Sequence, residues 1–178
     1  MEETRTLSCQ CGQVQLAVAK SPIIVVECHC NSCRAAGLML EALPKSTPVL
    51  EANNGTQYVL YRKDRISFTK GRELLREFRL SPEAKTRRVI ASCCNTAMFV
   101  EFESGHWLSL YGHLWPAGTM PALDLRTMTS DLEDRSQLSV DVPSGKRATA
   151  AFYAKLLGAW IAMGFKSPKI AVNGVVEA

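Results

Sequence analysis

Apolar and polar positions alternate in short runs over the first two thirds of the chain. Val14 to Val18 has the period of two of a half-buried strand. Ile23 to Val26 is a β-branched run after Pro22 that leads straight into a cysteine-rich stretch. Leu38 to Leu43 is short and apolar, and Asn53-Asn54-Gly55 marks a turn before Tyr58-Val59-Leu60-Tyr61. Arg65 to Thr69 and Glu73 to Leu80 read as two strands around a Lys70-Gly71 turn, the second ended by Ser81-Pro82. Arg87 to Ala91 alternates weakly, and Met98 to Phe102 and Trp107 to Tyr111 follow, with Gly105 in their link. Short strands with turns every eight to twelve residues or so predict a mainly β body, a sheet or sandwich.

The tail has a different rhythm. Asp124 to Asp141 is polar and reads as loop, and Ser144 is placed to cap a helix starting near Lys146 or Arg147. Phe152, Leu156, Trp160 and Met163 recur at helical spacing, while Ala154, Gly158 and Ala162 form a small-residue stripe. Two readings are open. The helix packs on its own sheet, or the stripe lets two helices approach closely and makes a homodimer. The expected organisation is a β domain over residues 1–120 and a loop and helical extension over 121–178, packed on it.

Composition changes this picture little. The chain has 178 residues, 47% of them hydrophobic and 21% charged, with a formal net charge of +4. That excludes a disordered chain, a coiled coil and a collagen-like repeat. Between Tyr61 and Ile90 there are ten basic and four acidic residues, a local excess of +6. Solvated strand faces account for it; an anionic small molecule or a nucleic-acid surface is the functional alternative. The nucleic-acid case lacks interleaved aromatics and any motif, so no such partner is expected. The start of the chain, MEETRTLSCQC, has no apolar secretory core, and Ala148 to Phe165 is too short and mixed for a membrane span. A cytoplasmic protein is expected, in a compartment that keeps thiols reduced.

The cysteines change the picture most. All seven fall in three groups: Cys9 and Cys11, then Cys28, Cys30 and Cys33, then Cys93 and Cys94. An odd number argues against a disulfide framework. Spacings of one to four residues suit a metal, and soft thiolates favour zinc over an iron–sulfur cluster, which has its own cysteine runs. Seven ligands cannot make two sites of four. They fit one closed site of four, which is structural, and one of three, which leaves a position for water or substrate. The middle trio suits the open site, and the outer pairs the closed one. Neighbouring residues on a strand point to opposite faces. Cys93 and Cys94 therefore both reach one ion only if the backbone bends sharply, which Asn95 tolerates. Cys94 is the firmer ligand, and the place of Cys93 stays open.

Cys-x-Cys-Gly near the start, then Cys-His-Cys-x-x-Cys-Arg, then a cysteine group before an apolar strand, resembles the glutathione-dependent formaldehyde-activating (GFA) and centromere protein V family over roughly residues 5 to 115. The resemblance implies a β-tent fold of antiparallel strands organised around two zinc sites, here with a C-terminal helical extension. It implies a structural zinc at Cys9, Cys11 and Cys94, with Cys93 left open as the fourth ligand. It also implies a labile zinc at Cys28, Cys30 and Cys33, where glutathione binds and catalysis occurs. In place of the family's Cys-x-x-Cys-Gly-Thr, this chain carries Ala91-Ser92-Cys93-Cys94-Asn95-Thr96, and Ala35-Ala36-Gly37 follows Arg34 without the usual serine-rich continuation.

Arg34 lies beside the trio, and a guanidinium pairs bidentately with a carboxylate, so it is the candidate for the anionic end of a substrate. His29 sits between two ligands and should point away from the ion; His106 and His113 read as surface or satisfied histidines. The function expected is a carbon–sulfur lyase acting on a glutathione or other thiol adduct. The alternatives are a non-catalytic zinc-stabilised binding module and a thiol or metal sensor.

Overall fold

A computed structural model describes residues 4–136 and 138–176. Among the described residues there are ten strands and two α-helices, so the chain is mainly β. β1 (Thr4–Ser8), β2 (Gln15–Ala19) and β5 (Ile66–Lys70) form a three-stranded antiparallel sheet in the order β1-β2-β5. A seven-stranded sheet contains β3 (Ile24–Cys28), β4 (Thr56–Arg62), β6 (Leu75–Phe78), β7 (Thr86–Ala91), β8 (Thr96–Phe102), β9 (Trp107–Tyr111) and β10 (Leu125–Thr127). Its order is β10-β3-β4-β9-β8-β7-β6.

Register explains why the central strands read as nearly continuous apolar runs. Val25 pairs with Val59, and Val59 with Leu110. These side chains point toward the small sheet, in a core with Leu7, Leu16, Val18, Met98 and Phe99. One residue along, Ile24 pairs with Leu60 and Val26 with Tyr58, and these side chains enter a second core with Leu40, Ile90, Tyr111 and Leu156. The large sheet is thus covered on both faces, which removes the alternation a half-solvated sheet would show. Gly71 makes the turn between β5 and β6. Its φ is +68°, and a Cβ there would lie 2.1 Å from the carbonyl oxygen of Gln13, so no other residue fits.

Leu38 to Leu43 is not a strand but mostly the last turns of α1 (Asn31–Glu41), which buries Ala36, Gly37 and Leu40. Two other elements depart from expectation. β1 is a mostly polar strand in which only Leu7 is buried, and β10 is a short strand in the polar tail, parallel to β3. α2 (Gly145–Ala162) starts after Ser144 as expected, although the serine side chain makes no capping bond. It packs against β10 of its own chain and buries Ala148 and Leu156. Tyr153, Leu157 and Ile161 are left exposed. Beyond α2, Asn173 and Val176 donate backbone hydrogen bonds to Leu75 and Glu77 of β6, and Glu77 donates to Gly174. No described helix is long and apolar enough to cross a membrane.

His106 is buried and His113 is half-buried. His106 is 6% exposed and stacks on Trp160 of α2, with ring centroids 5.8 Å apart. The Nε2 atoms of both histidines are buried without a hydrogen-bond partner. Burial holds His113 down from its usual 6.5 to about 4. The folded state therefore resists a proton that the unfolded chain accepts. Stability is full above about pH 6.5 and falls by up to about 3 kcal/mol as the pH drops toward 4. Urea midpoints at pH 7.5 and 4.5 should differ less in His113→Gln than in the wild type; an unchanged difference would refute the assignment.

Candidate metal centres

The first cluster joins two turns that are distant in sequence. Cys9 and Cys11 lie in the turn after β1, and Cys93 and Cys94 in the turn between β7 and β8. Asn95 has φ +54°, so the chain bends there in the left-handed region that asparagine tolerates. That bend brings both neighbouring sulfurs to one place. Cys93 Sγ lies 3.8 Å from Cys9 Sγ, 3.3 Å from Cys11 Sγ and 3.9 Å from Cys94 Sγ. Cys9 and Cys11 are 3.6 Å apart. All four sulfurs lie within 4.8 Å of one another, and none is in a disulfide. A zinc–sulfur bond of about 2.3 Å places the sulfurs of a tetrahedral site about 3.8 Å apart, so the cluster could hold zinc. The Val14 amide donates to Cys9 Sγ at 3.3 Å, and Thr96 Oγ1 lies 3.0 Å from Cys94 Sγ. Burial resists ionisation of Cys94, but the Thr96 hydroxyl and nearby amides outweigh it and bring the thiol to about 6.

The second cluster is built where β3 runs into α1. Cys28 ends β3, Cys30 is the N-cap of α1, and Cys33 lies in the first helical turn. Cys30 Sγ accepts the Cys33 amide at 3.2 Å, in the manner of a capping side chain. The three sulfurs lie within 4.8 Å of one another and are half-buried, and they too could hold an ion. Hydrogen bonds from the Cys28 and Cys33 thiols hold Cys30 down to about 2, whereas Cys28 and Cys33 are pushed up. Of the three thiols, Cys30 is thus the one that gives up its proton most readily. The helix N-terminus favours its negative charge as well.

His29 points away from the sulfurs, as expected. Its Nε2 lies 2.8 Å from Glu27 Oε1, and that oxygen also accepts from Asn53 Nδ2 at 3.0 Å and Arg126 Nε at 2.8 Å. Gly55 leaves room for this network: a Cβ there would come within 2.8 Å of both Glu27 and His29. Arg34 lies on the first turn of α1, where its Nη2 donates to Asn31 Oδ1.

Four further residues surround the trio, and the cysteine pattern gave no sign of them. The Tyr58 hydroxyl donates to Cys33 Sγ at 3.6 Å. Tyr111 packs against Tyr58, with ring centroids 5.1 Å apart, and its phenol interacts with both Tyr58 and Arg88. Burial pushes both phenols well above their ordinary range, so they remain protonated donors. Arg88 Nη2 donates to the Ser32 carbonyl at 3.1 Å, and Asp131 Oδ2 accepts the Asn31 amide at 3.1 Å.

The sequence profile described as "Glutathione-dependent formaldehyde-activating enzyme" matches residues 4–111. The chain belongs to this family. No curated protein matches it. A Rhodobacter sphaeroides protein of known crystal structure is similar at 15% identity and a TM-score of 0.47, over 79% of this chain and 100% of that one. Every cysteine of the GFA chain lies inside the matched span, as do Tyr58, Arg88 and Tyr111. Arg126 and Asp131 lie outside it, on β10 and the turn that follows. Residues beyond the matched span therefore reach the polar surroundings of both Cys28 and α1.

Proposed function

We propose that the protein is a zinc-dependent carbon–sulfur lyase that makes or breaks the bond between a thiol sulfur and a carbonyl-derived carbon. Glutathione is the thiol that the family's name suggests. The observation that carries the reading is the inequality of the two clusters. Four sulfurs enclose one site, while three half-exposed sulfurs at a helix N-terminus leave the other a position short. Zinc at Cys28, Cys30 and Cys33 would supply a Lewis acid that favours the thiolate form of an entering sulfur. Zinc at Cys9, Cys11, Cys93 and Cys94 would be structural.

The chain's own residues do the rest. The thiol loses its proton, its sulfur bonds to the carbonyl carbon, and the C=O electron pair moves to oxygen, which takes up a proton. Cleavage is the reverse. Asp131, bonded to the amide next to Cys30, is the proposed acceptor of the thiol proton. Arg34 is the proposed partner of a substrate carboxylate. A reducing, cytoplasmic setting suits seven free thiols.

The zinc-loaded protein should turn over S-hydroxymethylglutathione. Cys30→Ser should lower that rate at least about a hundredfold, because it removes the helix-capping ligand. No turnover at full zinc occupancy, or an unaffected Cys30→Ser variant, would overturn the reading.

A further inference from the structure

Four of the ten cations of the basic segment meet a carboxylate, and of the other six only Arg88 is buried. Arg62 pairs with Asp64, Lys63 with Glu101, Arg79 with Glu77, and Arg87 with both Glu77 and Glu101. Arg88 is different. It is 2% exposed, has no carboxylate partner among the described residues, and its Nε is buried without an acceptor. An uncompensated guanidinium is costly to bury, so a residue so placed calls for an anion nearby.

A short polar chain links Arg88 to the three cysteines. Arg88 grips the carbonyl of Ser32, which lies between Cys30 and Cys33 on the first turn of α1. It also interacts with the Tyr111 phenol, which meets Tyr58, whose hydroxyl donates to Cys33 Sγ. Three thiolates around a divalent ion carry a net charge of −1, and Arg88 carries +1. We propose that Arg88 is the built-in counter-charge of the three-cysteine site, linked to it through Tyr111, Tyr58 and the Ser32 carbonyl. It is a positioning residue that selects for a thiolate-bound divalent ion. The inference rests on reading Cys28, Cys30 and Cys33 as a metal site.

The test uses the full chain and cobalt(II), whose thiolate charge-transfer band reports the sulfur ligands. Native mass spectrometry counts the ions, and Cys30→Ser identifies the signal of the trio. Arg88→Met should weaken cobalt binding at the trio about tenfold to a hundredfold and leave the four-cysteine site unchanged. Arg88→Lys, which keeps the charge, should recover most of the loss. Tyr58→Phe should weaken binding less and shift the charge-transfer band, because one sulfur loses a donor. The proposal is overturned if Arg88→Met binds like the wild type, if both sites weaken together, or if lysine is no better than methionine. Should Arg88→Met not fold, an unshifted band with unchanged affinity in Tyr58→Phe overturns it equally. A wild type that takes no cobalt at the trio refutes the metal reading and this inference together. Wild-type binding with an indifferent Arg88→Met refutes the inference alone.

Discussion

Cys9→Ala is expected to leave little folded protein at ordinary temperature. Cys9 is 2% exposed, its sulfur lies 3.6 Å from Cys11 Sγ and 3.8 Å from Cys93 Sγ, and it accepts the Val14 amide. The cluster fastens the end of β1 to a turn 84 residues further along the chain. Structural zinc in small domains supplies roughly 10–16 kcal/mol of apparent binding energy, all of it available to folding. The net stability of a domain is only about 5–15 kcal/mol. Loss of even part of the first term consumes most of the second. Circular dichroism melts should show the variant unfolding tens of degrees below the wild type, with no further response to a chelator. Cys30→Ser should melt much nearer the wild type. A Cys9→Ala variant with wild-type melting and two bound zinc ions would show that this cluster does not hold the fold.

The second large effect is expected at Glu27, independently of any ion. Its carboxylate is 3% exposed and receives His29, Asn53 and Arg126. Burial works against the charged form, but the three donors prevail and hold it down to about 2. Glu27→Ala strands Arg126, itself 6% exposed, as a buried cation. Breaking a buried pair from one side costs about 3–5 kcal/mol. The double variant Glu27→Leu, Arg126→Leu should lose less than Glu27→Ala, because nothing charged is left without a partner. Urea unfolding of the single and double variants measures both. If the double variant is the weaker, the pair contributes more than the charge left behind.

Much of this site was legible in the sequence because its information is local. Three groups of cysteines at ligand spacing define two clusters whatever strands carry them, and the split into four and three follows from the count. Cys93 was less clear. The rule that neighbouring residues face opposite ways holds on a strand, but Cys93 and Cys94 lie in a turn, and Asn95 takes the left-handed bend. α1 escaped notice because it starts inside the cysteine motif, and its apolar residues Leu38 to Leu40 look like a strand when read alone. Tyr58, Arg88 and Tyr111 could not be found by pattern. Each sits on a strand where an aromatic or alternating residue is ordinary, and only the pairing of Tyr58 with Tyr111 across β4 and β9 shows that they converge. β10 was hidden for a related reason: three residues in a polar tail have no periodicity, and their partner is a strand some hundred residues earlier.

The two outermost strands of the large sheet are β3 and β6 until the chain beyond residue 111 is added, since β10 then lies along β3 and residues 173–176 bond to β6. A recombinant fragment cut where the family match stops would carry all seven cysteines and yet expose two bare rows of amides and carbonyls. Such margins recruit strands from other molecules, so the shortened protein would be prone to precipitate for reasons unrelated to its chemistry.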